Sequence, residues 1–162
     1  MSEKLEDVVR KLLTERKLTV GLGESCTGGL IGHRLTNVPG SSTYLLGGII
    51  AYSYEAKERL LNVKHTTLDE HGAVSPETAA EMARGARTAL GADIGISVTG
   101  IAGPGGNLPG KPVGLVYIAL SARDVERVER FVWNGDREEN KSFSADAALT
   151  ILKDYLEGYP RA

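Results

Sequence analysis

Apolar positions recur with helical spacing over the first sixteen residues of the chain. Leu5, Val8, Val9, Leu12 and Leu13 fall on one face, which predicts a helix over 3–16 with Ser2 as its N-cap. The same kind of pattern, bounded by polar and glycine residues, predicts four more helices, over 28–36, 53–61, 75–90 and 136–157.

Small polar residues mark where some of these helices begin. Ser53 and Ser75 are suitable N-caps, and Pro76 fits the first position of a helix that stops at Gly91. The stretch "TLDE" at 67–70 has the Thr-x-x-Glu form of a capping box, which predicts a helix start there.

Five short apolar runs between the helices are typical of buried strands, over 18–23, 43–52 (interrupted by Gly47-Gly48), 93–100, 113–122 and 126–133. Only about four residues join the last two, so these should be antiparallel neighbours, whereas strands separated by helices can be parallel. We therefore predict a single α/β domain over 1–162. It should be a three-layer α/β/α sandwich around a mixed, mostly parallel five-stranded sheet.

Composition narrows the classes of function. A net charge of −2 and a pI near 5.9 argue against nucleic acid as a partner. No run of about 18 apolar residues would span a membrane, and the charged N-terminus lacks a signal-peptide core, so we expect a cytoplasmic location. One cysteine and three scattered histidines cannot build a disulfide or a four-ligand zinc site, so no metal or cofactor is expected.

Small polar and glycine residues follow three of the predicted strands. They form the stretches "GESCTGG" (23–29), "YSYEAK" (52–57) and "TGIAGPGG" (99–106). Ligands in open α/β sheets bind beyond the carboxyl ends of the strands. We therefore expect these three loops to converge on one cleft.

The first loop allows three interpretations. Ser25 or Thr27 could only cap the following helix, the turn could bind an anion, or Ser25 could be a nucleophile beside amides that stabilise an oxyanion. Cys26 is a rival nucleophile, but a cysteine is more often inert and buried. The three histidines, His33, His65 and His71, are more typical of solvent-facing or structural positions than of a base.

The other two loops supply a candidate base and a flexible backbone. Lys57 lies about one turn into the helix after the second strand, and a lysine driven toward neutrality by burial can act as a general base. A protonated Lys57 that binds a phosphate is the alternative. Thr99 and the bare amides of the loop over 100–112 could approach a ligand closely, or the loop could be a tight connection.

The chain resembles the C-terminal domain family of CinA, the nicotinamide-nucleotide amidases. The resemblance runs from about residue 18 to 157 and rests on "GESCTGG", "VPGSSTYLLGGIIAYSYEAKERLLNV", "EHGAVSPETAAEMARGAR", "ADIGISVTGIAGPGG" and "KPVGLVYIAL". It implies the stand-alone form of the family and a three-layer α/β/α fold. It also implies hydrolysis of nicotinamide mononucleotide to nicotinate mononucleotide and ammonia, without a metal.

By position, the resemblance implies Ser25 as nucleophile and Lys57 as base, with Tyr52 relaying the proton or holding the lysine. We expect the substrate to contact the first turn and the glycine-rich loop, through Glu24, Cys26, Thr27, Gly28, Thr99, Gly100, Ile101, Ala102 and Gly103.

The chain departs from the family pattern at two positions. Gly23 stands where alanine is frequent, and Tyr54 stands where asparagine is usual. If that asparagine contacts the substrate, Tyr54 bears on which substrate this chain takes. A non-catalytic nucleotide-binding module and a regulatory domain of the same fold remain alternatives. The expected partner is a small-molecule nucleotide, and a homo-oligomer is a common assembly for such folds.

Overall fold

The protein is built from both helices and strands. A computed structural model describes residues 2–158. Within that range, a 3₁₀ turn at Ser41–Thr43 precedes the second strand. The helices and strands in chain order are α1 (Leu5–Arg16), β1 (Val20–Glu24), α2 (Leu30–Thr36), β2 (Leu45–Ile50), α3 (Tyr54–Leu61), α4 (His65–His71), α5 (Pro76–Leu90), β3 (Ile94–Gly100), β4 (Leu115–Ser121), β5 (Glu126–Val132) and α6 (Arg137–Leu156).

The sheet is mixed, as predicted, with the strand order β2-β1-β3-β4-β5. β1 is parallel to both β2 and β3, whereas β4 is antiparallel to both β3 and β5. Only β4 therefore runs against the common direction. The reason is that residues 101–114 contain no helix, so the chain returns from β3 directly into the neighbouring strand.

Helices cover both faces of the sheet and complete the three layers. α1, α2 and α6 enclose the larger apolar core on one face, which includes Leu13, Leu22 and Ile96. α5 packs across the other face, and α3 and α4 pack against α5 around Leu61 and Met82. The carboxyl ends of β1, β2 and β3 meet at the same edge, so the loops after these strands are neighbours.

The ends of several helices follow their sequence signals. The hydroxyls of Ser53 and Ser75 cap α3 and α5, with the amides of Ala56 and Thr78 donating at 3.0 and 3.1 Å. Gly91 ends α5 in the left-handed conformation that the sequence predicts for that position.

Two predicted starts are wrong. α1 begins at Leu5 after Lys4, without a side-chain cap, so Ser2 is not its N-cap. α4 begins at His65, two residues before the proposed capping box at Thr67. The Thr67 hydroxyl instead donates to the Glu81 carboxylate on α5 at 2.7 Å, because this tertiary partner replaces the local one.

Glycines let α5 lie close to the sheet. A Cβ at Gly21 would come within 2.8 Å of the Leu90 side chain, and one at Gly47 within 2.9 Å of the same side chain. The pair Gly47-Gly48 therefore does not interrupt β2, which is continuous over Leu45–Ile50. Gly47 leaves room for the Leu90 side chain at the end of α5, whereas Gly48 adjoins Leu22 of β1.

Candidate active site

Ser25 is the first residue after β1 and lies in the interior of the protein. Its amide donates to the Val98 carbonyl on β3 at 2.9 Å, which continues the β1–β3 pairing by one residue. The residue is only 7% exposed. The sheet itself thus fixes the backbone of this serine and leaves its hydroxyl at the carboxyl edge.

Lys57 brings an amine to that hydroxyl from a different element. The residue is on the first turn of α3 and is 1% exposed. Its Nζ contacts Ser25 Oγ at 2.9 Å, the Ala51 carbonyl at 2.9 Å and the Tyr52 carbonyl at 3.4 Å. The distance to Ser25 lies within the range needed for direct proton transfer.

Burial lowers the pKa of Lys57 from 10.5 to about 8. The physical cause is loss of hydration, which disfavours the ammonium form. No carboxylate within residues 2–158 forms an ion pair with Lys57, and the smaller opposing influence of the neighbouring Cys26 does not offset the effect of burial on the pKa. An appreciable share of the amine is therefore neutral near physiological pH.

Glu24 and Thr27 hold the turn rather than face the cavity. The Thr27 hydroxyl donates to the Glu24 carboxylate at 2.6 Å, and the amides of Ile31 and Gly32 donate to the same carboxylate at 3.0 Å each. Both residues are buried. Glu24 thus closes the start of α2 from the end of β1 and is directed away from Lys57.

The remaining turn residues have distinct roles. Gly28 has φ near +60°, a conformation that favours glycine, and its amide donates to the Ser25 carbonyl at 3.1 Å. The amides of Cys26 and Thr27 donate to no carbonyl elsewhere in the described chain. Of these two residues only Cys26 lines the cavity, so its amide is the one that an oxyanion there could use.

Cys26 lies beside Ser25, but its thiol is not reactive in this environment. Burial raises the pKa of its thiol to about 12, so the thiol stays protonated at neutral pH. The three histidines are exposed, and none borders the cavity that holds Ser25. Geometry and protonation therefore favour the serine over the cysteine as the nucleophile of this site.

Tyr52 does not reach the lysine with its side chain. Its ring is 64% exposed, and its hydroxyl accepts a hydrogen bond from the Arg137 guanidinium at 3.2 Å. Only its main-chain carbonyl contacts Lys57. The geometry places Tyr52 at the mouth of the site, which differs from the proton-relay or lysine-holding role that the resemblance implies.

The glycine-rich loop borders the site through part of its length. The Thr99 hydroxyl donates to the Ala73 carbonyl at 2.7 Å, and the Ile101 amide donates to the Leu115 carbonyl at 2.8 Å. Two side chains of α6 hold the next residues of the loop. Asn140 donates to the Ala102 carbonyl at 2.9 Å, and Arg137 donates to the Gly103 carbonyl at 2.7 Å.

These elements enclose a cavity of about 200 Å³. Its lining is formed by Ser25, Cys26, Tyr52, Lys57, Ala73, Val74, Thr99, Gly100, Ala102 and Arg137. Of the residues expected to contact substrate, Glu24, Thr27, Gly28, Ile101 and Gly103 lie outside this lining.

Three lining residues were missed from sequence: Ala73, Val74 and Arg137. Ala73 and Val74 lie in the quoted stretch "EHGAVSPETAAEMARGAR", but nothing in that pattern marks them as cavity residues, and Arg137 lies outside every quoted stretch. Two larger cavities contain neither Ser25 nor Lys57: one of about 500 Å³ adjoins the site through Ala102 and Arg137, and one of about 390 Å³ lies between α3 and α5.

Two general features concern the described residues 2–158. No three His, Cys, Asp or Glu side chains there lie close enough together to hold a metal ion. None of the helices in that range combines the length and the apolar character needed to cross a bilayer.

Comparison with known proteins shows which family the chain belongs to. The family model for the CinA C-terminal domain matches residues 2–156. A CinA-like protein of Chlorobaculum tepidum is 55% identical over 153 residues, covering 91% of this chain. The chain spans only 36% of the length of that curated relative.

Solved structures of similar length superpose closely. Competence damage-inducible protein A (ComA) of Klebsiella pneumoniae has a TM-score of 0.92 at 33% identity, covering 96% of this chain and 97% of that one. The competence/damage inducible protein CihA of Agrobacterium tumefaciens has a TM-score of 0.88 at 38% identity, covering 97% and 99%. With matches that extend over nearly all of it in both sequence and fold, the chain belongs to the CinA C-terminal domain family.

Proposed function

We propose that this chain is an amidohydrolase that converts nicotinamide mononucleotide to nicotinate mononucleotide and ammonia. The observation that carries the proposal is the 2.9 Å contact between Ser25 Oγ and a buried Lys57 amine with no carboxylate partner in the described chain. A lysine in that setting can be a base, and a serine beside it can be a nucleophile.

The chemistry follows from this pair. Neutral Lys57 takes the proton of Ser25 as Oγ attacks the carboxamide carbon, and the amide of Cys26, a residue that lines the cavity, stabilises the oxyanion that forms. The Lys57 ammonium returns the proton to the departing nitrogen, which leaves as ammonia. Water, activated by the same amine, then cleaves the acyl-enzyme and releases the carboxylate product.

The mouth of the cavity supports a nucleotide as substrate. A cavity of about 200 Å³ is below the ~300 Å³ at which pockets begin to enclose drug-sized ligands, so a nucleotide would extend out of it. Arg137 borders the cavity, and Arg137 also borders the neighbouring cavity of about 500 Å³. Its guanidinium has donors beyond those bound to Tyr52 and Gly103, and such donors suit a phosphate.

The direct test is incubation of the purified chain with nicotinamide mononucleotide, with ammonia and nicotinate mononucleotide measured together. We expect the two products in equal amounts. Nucleotide binding by calorimetry without any ammonia would instead support the non-catalytic nucleotide-binding alternative. No binding and no turnover would leave the regulatory alternative, because the chain would then keep the family fold alone.

Replacing Arg137 with glutamine tests the phosphate contact. We expect KM for the nucleotide to rise about ten- to a hundredfold with kcat nearly unchanged, since a charged hydrogen bond contributes about 1.5–3 kcal/mol. The riboside without phosphate should be turned over equally by both proteins. Arg123→Gln is the matched control, because Arg123 is an exposed arginine in the β4–β5 turn at the opposite end of the sheet. An unchanged KM for the nucleotide contradicts the assignment.

A further inference from the structure

One wall of the cavity is a segment without regular secondary structure. Residues 72–74 connect α4 to α5, and Ala73 and Val74 line the cavity that holds Ser25 and Lys57. We call residues 71–74 the wall segment, because His71 ends α4 and the backbone from there on is held by side chains of other elements.

Three anchors of the wall segment are internal. The Thr78 and Ser75 hydroxyls donate to the Gly72 carbonyl at 2.7 and 3.1 Å, and the Thr99 hydroxyl on β3 donates to the Ala73 carbonyl at 2.7 Å. Both threonines are buried. These bonds tie the wall segment to the layers beneath it, and their loss would disturb the core.

Two further anchors are the side chains of Tyr54 and Lys111, which belong to elements that also carry cavity residues. The Ala73 amide donates to the Tyr54 hydroxyl at 3.3 Å, and the Lys111 amine donates to the His71 carbonyl at 2.5 Å. Tyr54 begins α3, three residues before Lys57. Lys111 belongs to the loop over 101–114, which carries Ala102 of the cavity lining.

We propose that Tyr54 and Lys111 are positioning residues that fix the wall segment against the Ser25–Lys57 pair and thereby set which ring the cavity admits. Tyr54 joins the wall to the helix that carries the base, and Lys111 joins it to the glycine-rich loop opposite. Neither side chain lines the cavity, so each acts through the position of Ala73 and Val74.

The proposal has a physical basis in the size of the cavity. A space of about 200 Å³ fits a single aromatic ring closely, and a shift of the wall by a fraction of an ångström changes that fit. The Ser25–Lys57 contact belongs to other backbone segments and does not depend on these two anchors. Loss of an anchor should therefore weaken ring binding and leave the proton transfer intact.

The test compares Tyr54→Phe and Lys111→Met with the unchanged chain. Because each variant loses one hydrogen bond at the wall, we expect KM for nicotinamide mononucleotide to rise about three- to tenfold in each. kcat should stay within about twofold, and the pH at which kcat rises should not move. Discrimination against a nucleotide with a methyl group on the pyridine ring should fall by a similar factor.

Tyr155→Phe is the matched control, because its hydroxyl bonds Asp124 at the far end of the sheet. It should leave KM and discrimination unchanged. Unchanged KM and discrimination in the Tyr54 and Lys111 variants would overturn the proposal. So would a fall in kcat alone, which would place these residues in the chemistry instead.

This inference rests on the proposed function for its substrate, and its failure can be distinguished from failure of that function. Absence of ammonia release in the unchanged chain contradicts the activity. In that case the dissociation constant for nicotinamide mononucleotide, measured by calorimetry, replaces KM. The same three- to tenfold weakening in Tyr54→Phe and Lys111→Met, with none in Tyr155→Phe, is then expected, and equal affinities would overturn the positioning role.

Discussion

Ser25→Ala is expected to lower the rate of ammonia release from nicotinamide mononucleotide by up to about 10⁶-fold, the loss seen when a serine nucleophile is removed. The reason is that the Lys57 amine would lose the hydroxyl it contacts at 2.9 Å, and its other hydrogen-bond partners within residues 2–158 are main-chain carbonyls. Removal of one oxygen atom should leave folding and nucleotide affinity almost unchanged. The measurement is kcat by ammonia detection, with affinity from calorimetry on the same sample.

Cys26→Ala provides the matched control for this variant. The Cys26 thiol lines the same cavity, but burial keeps its pKa near 12 and thus keeps it protonated. We expect most of the activity to remain, with a modest loss of stability because the residue is buried. An inactive Cys26→Ala together with an active Ser25→Ala would identify the thiol as the nucleophile and reject the serine.

Lys57→Met is expected to lower kcat by about 10²- to 10⁴-fold, the usual contribution of a general base. The neutral amine is the reactive form, and its fraction increases as pH rises through the lowered pKa of about 8. The kcat of the unchanged chain should therefore show an ascending limb near pH 8, and this limb should be absent from the variant. The measurement is kcat and KM across pH 6 to 10.

The separate effects of Lys57→Met on kcat and on KM distinguish a Lys57 that acts as a base from a Lys57 that binds phosphate. A protonated Lys57 that only held phosphate would raise KM on replacement and leave kcat nearly normal. That result would end the proposed Ser25–Lys57 mechanism. Lys64→Met is the control, because Lys64 is an exposed lysine at the start of α4 outside the cavity, and both constants should be unchanged.

The pH dependence of stability provides an independent check on the burial of the Lys57 amine. Between pH 8 and 10.5 the unfolded chain keeps a proton on Lys57 that the folded protein has released, because the folded pKa is the lower one. The free energy of unfolding should therefore increase with pH over that window and be lowest below it. Lys57→Met should lack this increase, as measured by urea unfolding at several pH values.

The layered fold could be predicted from local pattern and loop length. Helical spacing of apolar residues, the serine caps of α3 and α5, and Gly91 are short-range signals, and the structure keeps them. The antiparallel β4–β5 pair follows from its short connection. Prediction failed at Ser2 and Thr67, where the cap pattern is weak and tertiary packing decides the helix boundary.

The candidate site could be predicted from the sequence only in part. That loops after three strands converge follows from strand direction, and their residues border one cavity. The position of the Tyr52 side chain at the mouth of the cavity could not be predicted from the sequence. Its hydroxyl is bound by Arg137, which lies 85 residues further along the chain. Ala73 and Val74 belong to a quoted family stretch, but their place at the cavity depends on hydrogen bonds to Ala73 from side chains on other elements, which the local pattern does not show.

The sequence by itself determined the alternation of helices and strands, the edge at which polar loops meet, and the presence of a serine, a cysteine and a lysine there. Only the tertiary structure decided which of them lies in contact with the lysine amine. Reactivity depends on distance and hydration, and both depend on groups distant in sequence. Folding buries Lys57 against the Ala51 and Tyr52 carbonyls without a nearby carboxylate, which lowers its pKa. Folding also buries the Cys26 thiol, which raises its pKa and leaves Ser25 as the group in contact with an amine that can be neutral.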